Sequence, residues 1–144
     1  MALVDANVLL YAVDTDADHH RVAREWLDGA LSGRDTVHFA WVPLLAFVRL
    51  TTRAGLFPSP LTTHEAFARV EAWTSQPNAV LVEPGPDHAR LMVRLLDGAG
   101  SGGNLVNDAH LAALALENRC PVVSFDRDFD RFDGVERIVP GMHR

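Results

Sequence analysis

The sequence contains no lysine: all 13 of its basic residues are arginine. That absence excludes P-loop nucleotide hydrolysis, Schiff-base catalysis and pyridoxal-phosphate chemistry, each of which needs the lysine amine. It also excludes the usual response-regulator receiver, a domain of similar size with a lysine beside its acidic site. Cysteine is nearly absent. The lone Cys120 has no partner for an internal disulfide, which fits a reducing compartment. It stands in an apolar run before Pro121, a poor setting for thiol chemistry. Positive charge is also in deficit. Asp and Glu number 19, for a net charge of -6. A simple electrostatic binder of nucleic acid needs surplus cations to replace counterions, so that class is excluded. An enzyme that meets nucleic acid through bound cations is not. No apolar run approaches 18 residues, and no charged leader precedes a long apolar stretch. The expectation is a cytoplasmic protein with no membrane association.

What is present reads as one domain over residues 1–144, with 48% hydrophobic and 22% charged residues. A chain of this length buries roughly 70% of its unfolded surface and needs no staples. Leu3-Val4-Asp5 reads as a buried strand, followed by a short helix over 7–13 and a polar loop over 14–18. Apolar residues then recur at three and four across 19–31, which predicts an amphipathic helix. A strand is predicted at 37–40 and a helix through 54, with Pro43 in its first turn. Thr62 or Thr63 caps a further helix, with Glu65 nearby. A strand follows at 79–82 and a helix from Pro86 to about Leu96. The run 97–104, D-G-A-G-S-G-G-N, reads as a flexible loop. The Ala- and Leu-rich stretch 105–118 reads as a helix, 122–125 as a strand, 126–132 as a charged turn, and 135–139 as a last strand. Alternating strands and helices argue for an α/β fold, an α/β/α sandwich with a mainly parallel central sheet.

In a parallel sheet the carboxyl ends of the strands share one edge, where ligands bind. Asp5 and Asp126 each follow a strand, Asp128 lies two residues on, and Asp108 lies in the first turn of a helix. Such acids can converge despite their separation in sequence. Carboxylates crowded together need a cation, and an all-oxygen donor set favours Mg²⁺ or Mn²⁺ over zinc. An ion of that kind can activate water and offset the charge of a phosphodiester. The alternative reading of each acid is ordinary turn or capping chemistry. The run D-R-D-F-D-R-F-D likewise reads by default as a solvated turn. Arg49 with Arg53, and Arg90 with Arg94, share helix faces suited to RNA phosphates or simply to solvent. His19-His20 lack zinc-ligand spacing. The three tryptophans read as core or interface anchors. Leu9, Leu10, Tyr11 and Val13 exceed what a short helix needs, which points to contact with a partner chain.

Taken in order, four motifs resemble the PIN domain, and within it the VapC ribonuclease toxins. They are V-D-A-N at 4–7, W-V-P-L-L-A-F-V-R-L-T-T at 41–52, G-N-L-V-N-D-A-H-L-A-A-L-A at 103–115 and V-V-S-F-D-R-D-F at 122–129. The resemblance spans nearly the whole chain. It implies a Mg²⁺-dependent (or Mn²⁺-dependent) endoribonuclease, the toxin of a VapBC-type pair. Such a toxin hydrolyses tRNA, rRNA or mRNA to arrest translation. A cognate VapB-type antitoxin and a homodimer are implied with it. Asp5, Asp108 and Asp126 carry over as catalytic, metal-binding acids, with Asp128 as a further metal ligand. Asn7 carries over as the group orienting the first aspartate, and Arg49 and His110 as supporting or RNA-contacting residues. One departure stands out. Where many PIN domains have a Glu three residues before the arginine, this chain has Ala46, and no acid lies between Asp35 and Glu65. Two alternatives therefore stand beside the toxin reading: a catalytically weakened PIN-like binding protein, and a metal-dependent phosphatase.

Overall fold

The computed structural model describes residues 1–100 and 105–142. Five short parallel strands form one sheet in the order β3-β2-β1-β4-β5, with β1 at Ala2–Val4, β2 at Val37–Phe39, β3 at Ala79–Leu81, β4 at Val122–Val123 and β5 at Arg137–Ile138. The chain starts in the centre. It builds outward through β2 and β3, then returns to the other side of β1 for β4 and β5. The order therefore reverses between β1 and β4, where Leu3 pairs with Val122 and Val4 with Val123.

Side chains alternate across the sheet with the period of two that a strand imposes. Leu3 and Val122 face one core, with Leu95, Leu105, the buried face of α6 (Val106–Glu117) and Phe129. Val4, Val123, Val37 and Phe39 face the other, with Val8, Leu27, Leu44, Phe47 and Trp73. That second core is closed by α1 (Ala6–Val13), α2 (His20–Leu31), α3 (Trp41–Thr52) and α4 (Thr63–Thr74); α5 (His88–Ala99) packs on α6 over the first. The result is the three-layer α/β/α sandwich expected from the alternation of elements.

Local chemistry explains most boundaries. Helix α4 starts on a capping box: the Thr62 hydroxyl accepts from the Glu65 N–H at 3.1 Å, and the Thr62 N–H donates to the Glu65 carboxylate at 2.9 Å. Helix α5 ends at Gly100, whose φ of 81° suits a residue without Cβ. Two expectations are corrected. Asp97, Gly98 and Ala99 are not loop but the last turn of α5; residues 101–104 of the expected loop lie outside the described residues. The 126–132 run is not a solvated turn but a 3₁₀ turn over Arg127–Arg131, anchored by Phe129 (fully buried) and Phe132 (3% exposed). In α1, Leu9 is fully buried and Tyr11 and Val13 pack against the second core, while Leu10 is half-buried. Among the tryptophans, Trp73 packs edge-on against Phe47 at 4.9 Å, while Trp41 remains 43% exposed. Among the described residues, no helix is long and apolar enough to cross a membrane.

Candidate active site

The reversal point between β1 and β4 brings together residues more than a hundred positions apart. The Asp5 N–H donates to the Val123 carbonyl at 3.0 Å, so the ends of the two strands are stitched side by side. Asp5 is the N-cap of α1. Its Oδ1 accepts from the Ala6 N–H at 2.7 Å, and its Oδ2 accepts from the Ser124 hydroxyl at 2.7 Å and from Asn7 Nδ2 at 3.3 Å.

Ser124 is the hub of this arrangement and is fully buried. Its Oγ accepts from Asn7 Nδ2 at 3.0 Å and from the Asp126 N–H at 2.9 Å. Both partners can only donate, so the single hydroxyl proton points to Asp5 and the inventory of a serine side chain is filled. Asn7 completes the lattice, its Oδ1 accepting from the Phe125 N–H at 3.2 Å. Ser124 thus connects two site acids from opposite ends of the chain. Its one sequence signal is a hydroxyl within an apolar strand, two residues before an aspartate.

Asp126 caps the 3₁₀ turn, its Oδ1 accepting from the Asp128 N–H at 2.9 Å. The buried Phe129 and Phe132 hold that turn against α6. Asp108, in the first turn of α6, meets it: carboxylate oxygens of Asp108, Asp126 and Asp128 all lie within 4.8 Å of one another. The Asp128 side chain is 48% exposed, and Arg131 Nη1 stands 3.8 Å from it, a loose and solvated pair.

The electrostatics follow from the crowding. Burial first, and then the charges of Asp126, Asp5 and Asp128 in that order of weight, together push the Asp108 carboxyl up to about 7. Asp5 is also pushed upward, chiefly by burial and slightly by Asp126, while its bonds from Ser124 and Ala6 pull the other way. The cation paired with this cluster, Arg131 at Asp128, is loose and solvated. An oxygen-only donor set with one carboxyl held near neutrality fits a divalent ion of the Mg²⁺ or Mn²⁺ type.

The expected residues therefore separate into groups. Asp108, Asp126 and Asp128 share one cluster. Asp5 sits beside it with both oxygens committed, and Asn7 orients Asp5 as expected from its position. Helix α3 contributes no acid: Ala46 is half-buried, and Arg49 is exposed and makes no hydrogen bond or ion pair among the described residues. His110 is engaged elsewhere. Its Nδ1 pairs with His88 Nε2 at 2.8 Å, and His88 Nδ1 pairs with Glu117 at 2.6 Å. The Glu117 carboxylate also accepts from the Gly85 N–H at 2.7 Å. This chain of bonds fastens α6 to the start of α5, and neither His88 nor Glu117 was singled out by the sequence pattern.

The comparisons agree with this geometry. The PIN domain family model matches residues 2–135. Ribonuclease VapC37 of Mycobacterium tuberculosis is 60% identical over 140 residues, covering 97% of each chain. Ribonuclease VapC31 of the same organism is 44% identical, covering 97% of this chain and 99% of its own. A chain of the solved VapBC2 from Rickettsia felis, bound to a DNA fragment from their promoter, has the same fold, with a TM-score of 0.70 at 14% identity. The match covers 96% of this chain and 98% of that one. The acids at the β1–β4 junction thus sit in a known architecture: this chain belongs to the PIN-domain family and, within it, to the VapC ribonucleases.

Proposed function

We propose that this protein is a Mg²⁺- or Mn²⁺-dependent endoribonuclease, the cytoplasmic toxin of a toxin–antitoxin pair. The observation that carries the metal dependence is the three-carboxylate cluster of Asp108, Asp126 and Asp128. A bound divalent ion supplies a water of lowered pKa and Lewis-acid relief of phosphate charge. The residues do the rest. Asp108, Asp126 and Asp128 would hold the ion. Asp5, fixed by Ser124 and Ala6, faces the same junction as a fourth carboxylate and keeps the others in register through Ser124. Arg49, exposed and unbonded, receives an RNA phosphate. The products of such hydrolysis carry a 3′-hydroxyl and a 5′-phosphate. Likeness to VapBC pairs supports a VapB-type antitoxin as partner, and the exposed apolar Trp41, Val42 and Leu45 on α3 support a homodimer.

The test is RNA end-mapping after induction, with Asp5→Asn and Asp108→Asn as controls. Discrete cuts that depend on both acids are expected. Growth arrest persisting in either variant rejects the assigned roles, and hydrolysis of phosphomonoesters but not RNA returns the phosphatase reading. One observation favours a second reading, a PIN-like protein with weakened cleavage: α3 brings no carboxylate to the site, because Ala46 stands where a glutamate is common.

A further inference from the structure

Three aromatic rings, one of them next in sequence to Asp126, cluster together and take no part in holding the acids. Phe125, between Ser124 and Asp126, stacks on His19 with ring centroids 4.4 Å apart and planes 14° from parallel. Tyr11 leans on both, 5.4 Å from Phe125 and 5.8 Å from His19. Tyr11 and Phe125 are half-buried, but His19 is exposed. An open depression of 460 Å³, lined by Tyr11, Asp16, Ala17, Asp18 and His19, adjoins the stack. That volume lies in the range of small-ligand sites, about 300–1,000 Å³.

His19 has no local reason to be there. It occupies the N-cap of α2, where Ser, Thr, Asp or Asn would satisfy a helix N–H, and its side chain makes no capping bond. The structural task falls to His20, whose Nδ1–H donates to the Tyr11 carbonyl at 2.8 Å and pins the loop to α1. A residue that breaks a local capping rule while keeping an exposed ring stacked in place points to function. The depression also selects its occupant. Asp16 and Asp18 on its rim repel a phosphate, yet they accept hydrogen bonds from an exocyclic amine. A flat ring stacking on an exposed aromatic, with an amine turned to a carboxylate, describes a nucleobase.

We propose that His19, backed by Phe125 and Tyr11, is a stacking platform for one base of the RNA. The base is cytosine, adenine or guanine in preference to uracil, selected by Asp16 and Asp18. Phe125, which backs His19, is next in sequence to Asp126, which ties the platform to the segment that carries the acids. The proposal rests on the ribonuclease reading above and names the specificity element of that same site.

The experiment uses the full chain and short oligoribonucleotides that differ in one base at each position in turn. Cleavage in Mg²⁺ gives KM and kcat; anisotropy on the Asp108→Asn protein gives binding without cleavage. His19→Leu keeps the packing against Phe125 but has no π-face, whereas His19→Phe keeps the stack. His19→Leu is expected to weaken binding, and to raise KM more than it lowers kcat, by about 5- to 150-fold. His19→Phe is expected to stay within about threefold of wild type, with thermal unfolding unchanged in both. Asp16→Asn with Asp18→Asn is expected to flatten the preference over uracil. Wild-type binding, KM and base pattern in His19→Leu overturn the platform while leaving the nuclease intact. An effect of His19→Leu confined to the binding of an antitoxin peptide overturns it too, and assigns the surface to a protein partner. Wild-type protein that cuts no oligonucleotide overturns instead the ribonuclease reading, and the anisotropy arm still decides the platform.

Discussion

The crowding at the β1–β4 junction makes a thermodynamic prediction that needs no substrate. The Asp108 carboxyl is raised from 3.8 to about 7 in the folded protein. Because the folded state binds that proton more tightly than the unfolded chain, the stabilisation is fully present below pH 4 and lost as pH rises through 7. A shift of about three units at 1.36 kcal/mol each sets an upper bound of about 4 kcal/mol. The site is open to solvent, and screening reduces this to about 2 kcal/mol. Asp108→Asn removes the charge while keeping the shape. In EDTA the variant is expected to match wild type at pH 4 and to exceed it at pH 8 by about 2 kcal/mol, or about 4–8 °C in Tm for a chain of this size. Adding Mg²⁺ at pH 8 is expected to reverse the order, since ion binding stabilises only the protein that holds it. Thermal unfolding followed by circular dichroism across that pH range, with and without the ion, is the assay. A Tm difference that does not change with pH, or a variant less stable than wild type at pH 8 in EDTA, would refute the claim that like charge and burial dominate this site.

Other consequences follow from the same contacts. Ser124→Ala leaves Asp5, Asn7 and the Asp126 N–H without their shared partner; it is expected to cost about 1–3 kcal/mol in urea unfolding and to weaken Mg²⁺ affinity by calorimetry. Phe129→Ala removes a fully buried ring behind the 3₁₀ turn, at an expected cost of about 3–5 kcal/mol; the Mg²⁺-dependent rise in Tm should shrink with it, because Asp126 and Asp128 ride on that turn. Ala46→Glu restores a carboxylate to α3. A rise of about tenfold or more in RNA cleavage, roughly the effect of 1.4 kcal/mol on the barrier, is expected if the native site is impaired, and an unchanged rate shows that the four aspartates suffice.

Much of this was legible in the sequence because parallel strands leave little freedom. Once Leu3-Val4 and Val122-Val123 are strands of one parallel sheet, the acids that follow them share an edge, whatever lies between. The weight given to each acid was less legible. Asp5 caps a helix and accepts hydrogen bonds on both oxygens, while Asp128 comes beside Asp126 and Asp108 because a 3₁₀ turn folds it back. That turn was hidden by its charge. Phe129 and Phe132 are three residues apart, which is one 3₁₀ turn, so both rings fall on the same face and enter the core; a search for helical or strand periods does not see it. Ser124 was illegible for another reason. Two of its side chain's three partners lie 117 and 119 positions away, and a hydroxyl two residues before an aspartate is a faint local signal.

The charge balance ties the composition to the site. Three ionised carboxylates outweigh one divalent ion by a full charge, and Asp5 adds to the excess. An RNA phosphate approaching even the loaded cluster therefore needs cations from elsewhere, and in a chain without lysine these are arginines. Among the described residues five arginines are paired: Arg137 is clamped by Asp130 at 2.9 and 3.0 Å, Arg131 stands by Asp128, and Arg21, Arg24 and Arg90 pair along their own surfaces. Arg127 is exposed, makes no ion pair among the described residues, and lies between Asp126 and Asp128. Arg49 is free on α3. With so few cations at hand, nonspecific attraction for RNA is weak, and recognition must come from contacts that do not depend on net charge. On the proposed reading a protein of charge -6 that cuts RNA is consistent: the metal cluster would give the chemistry, a few forked guanidinium groups would hold phosphates, and the bases themselves would have to be read.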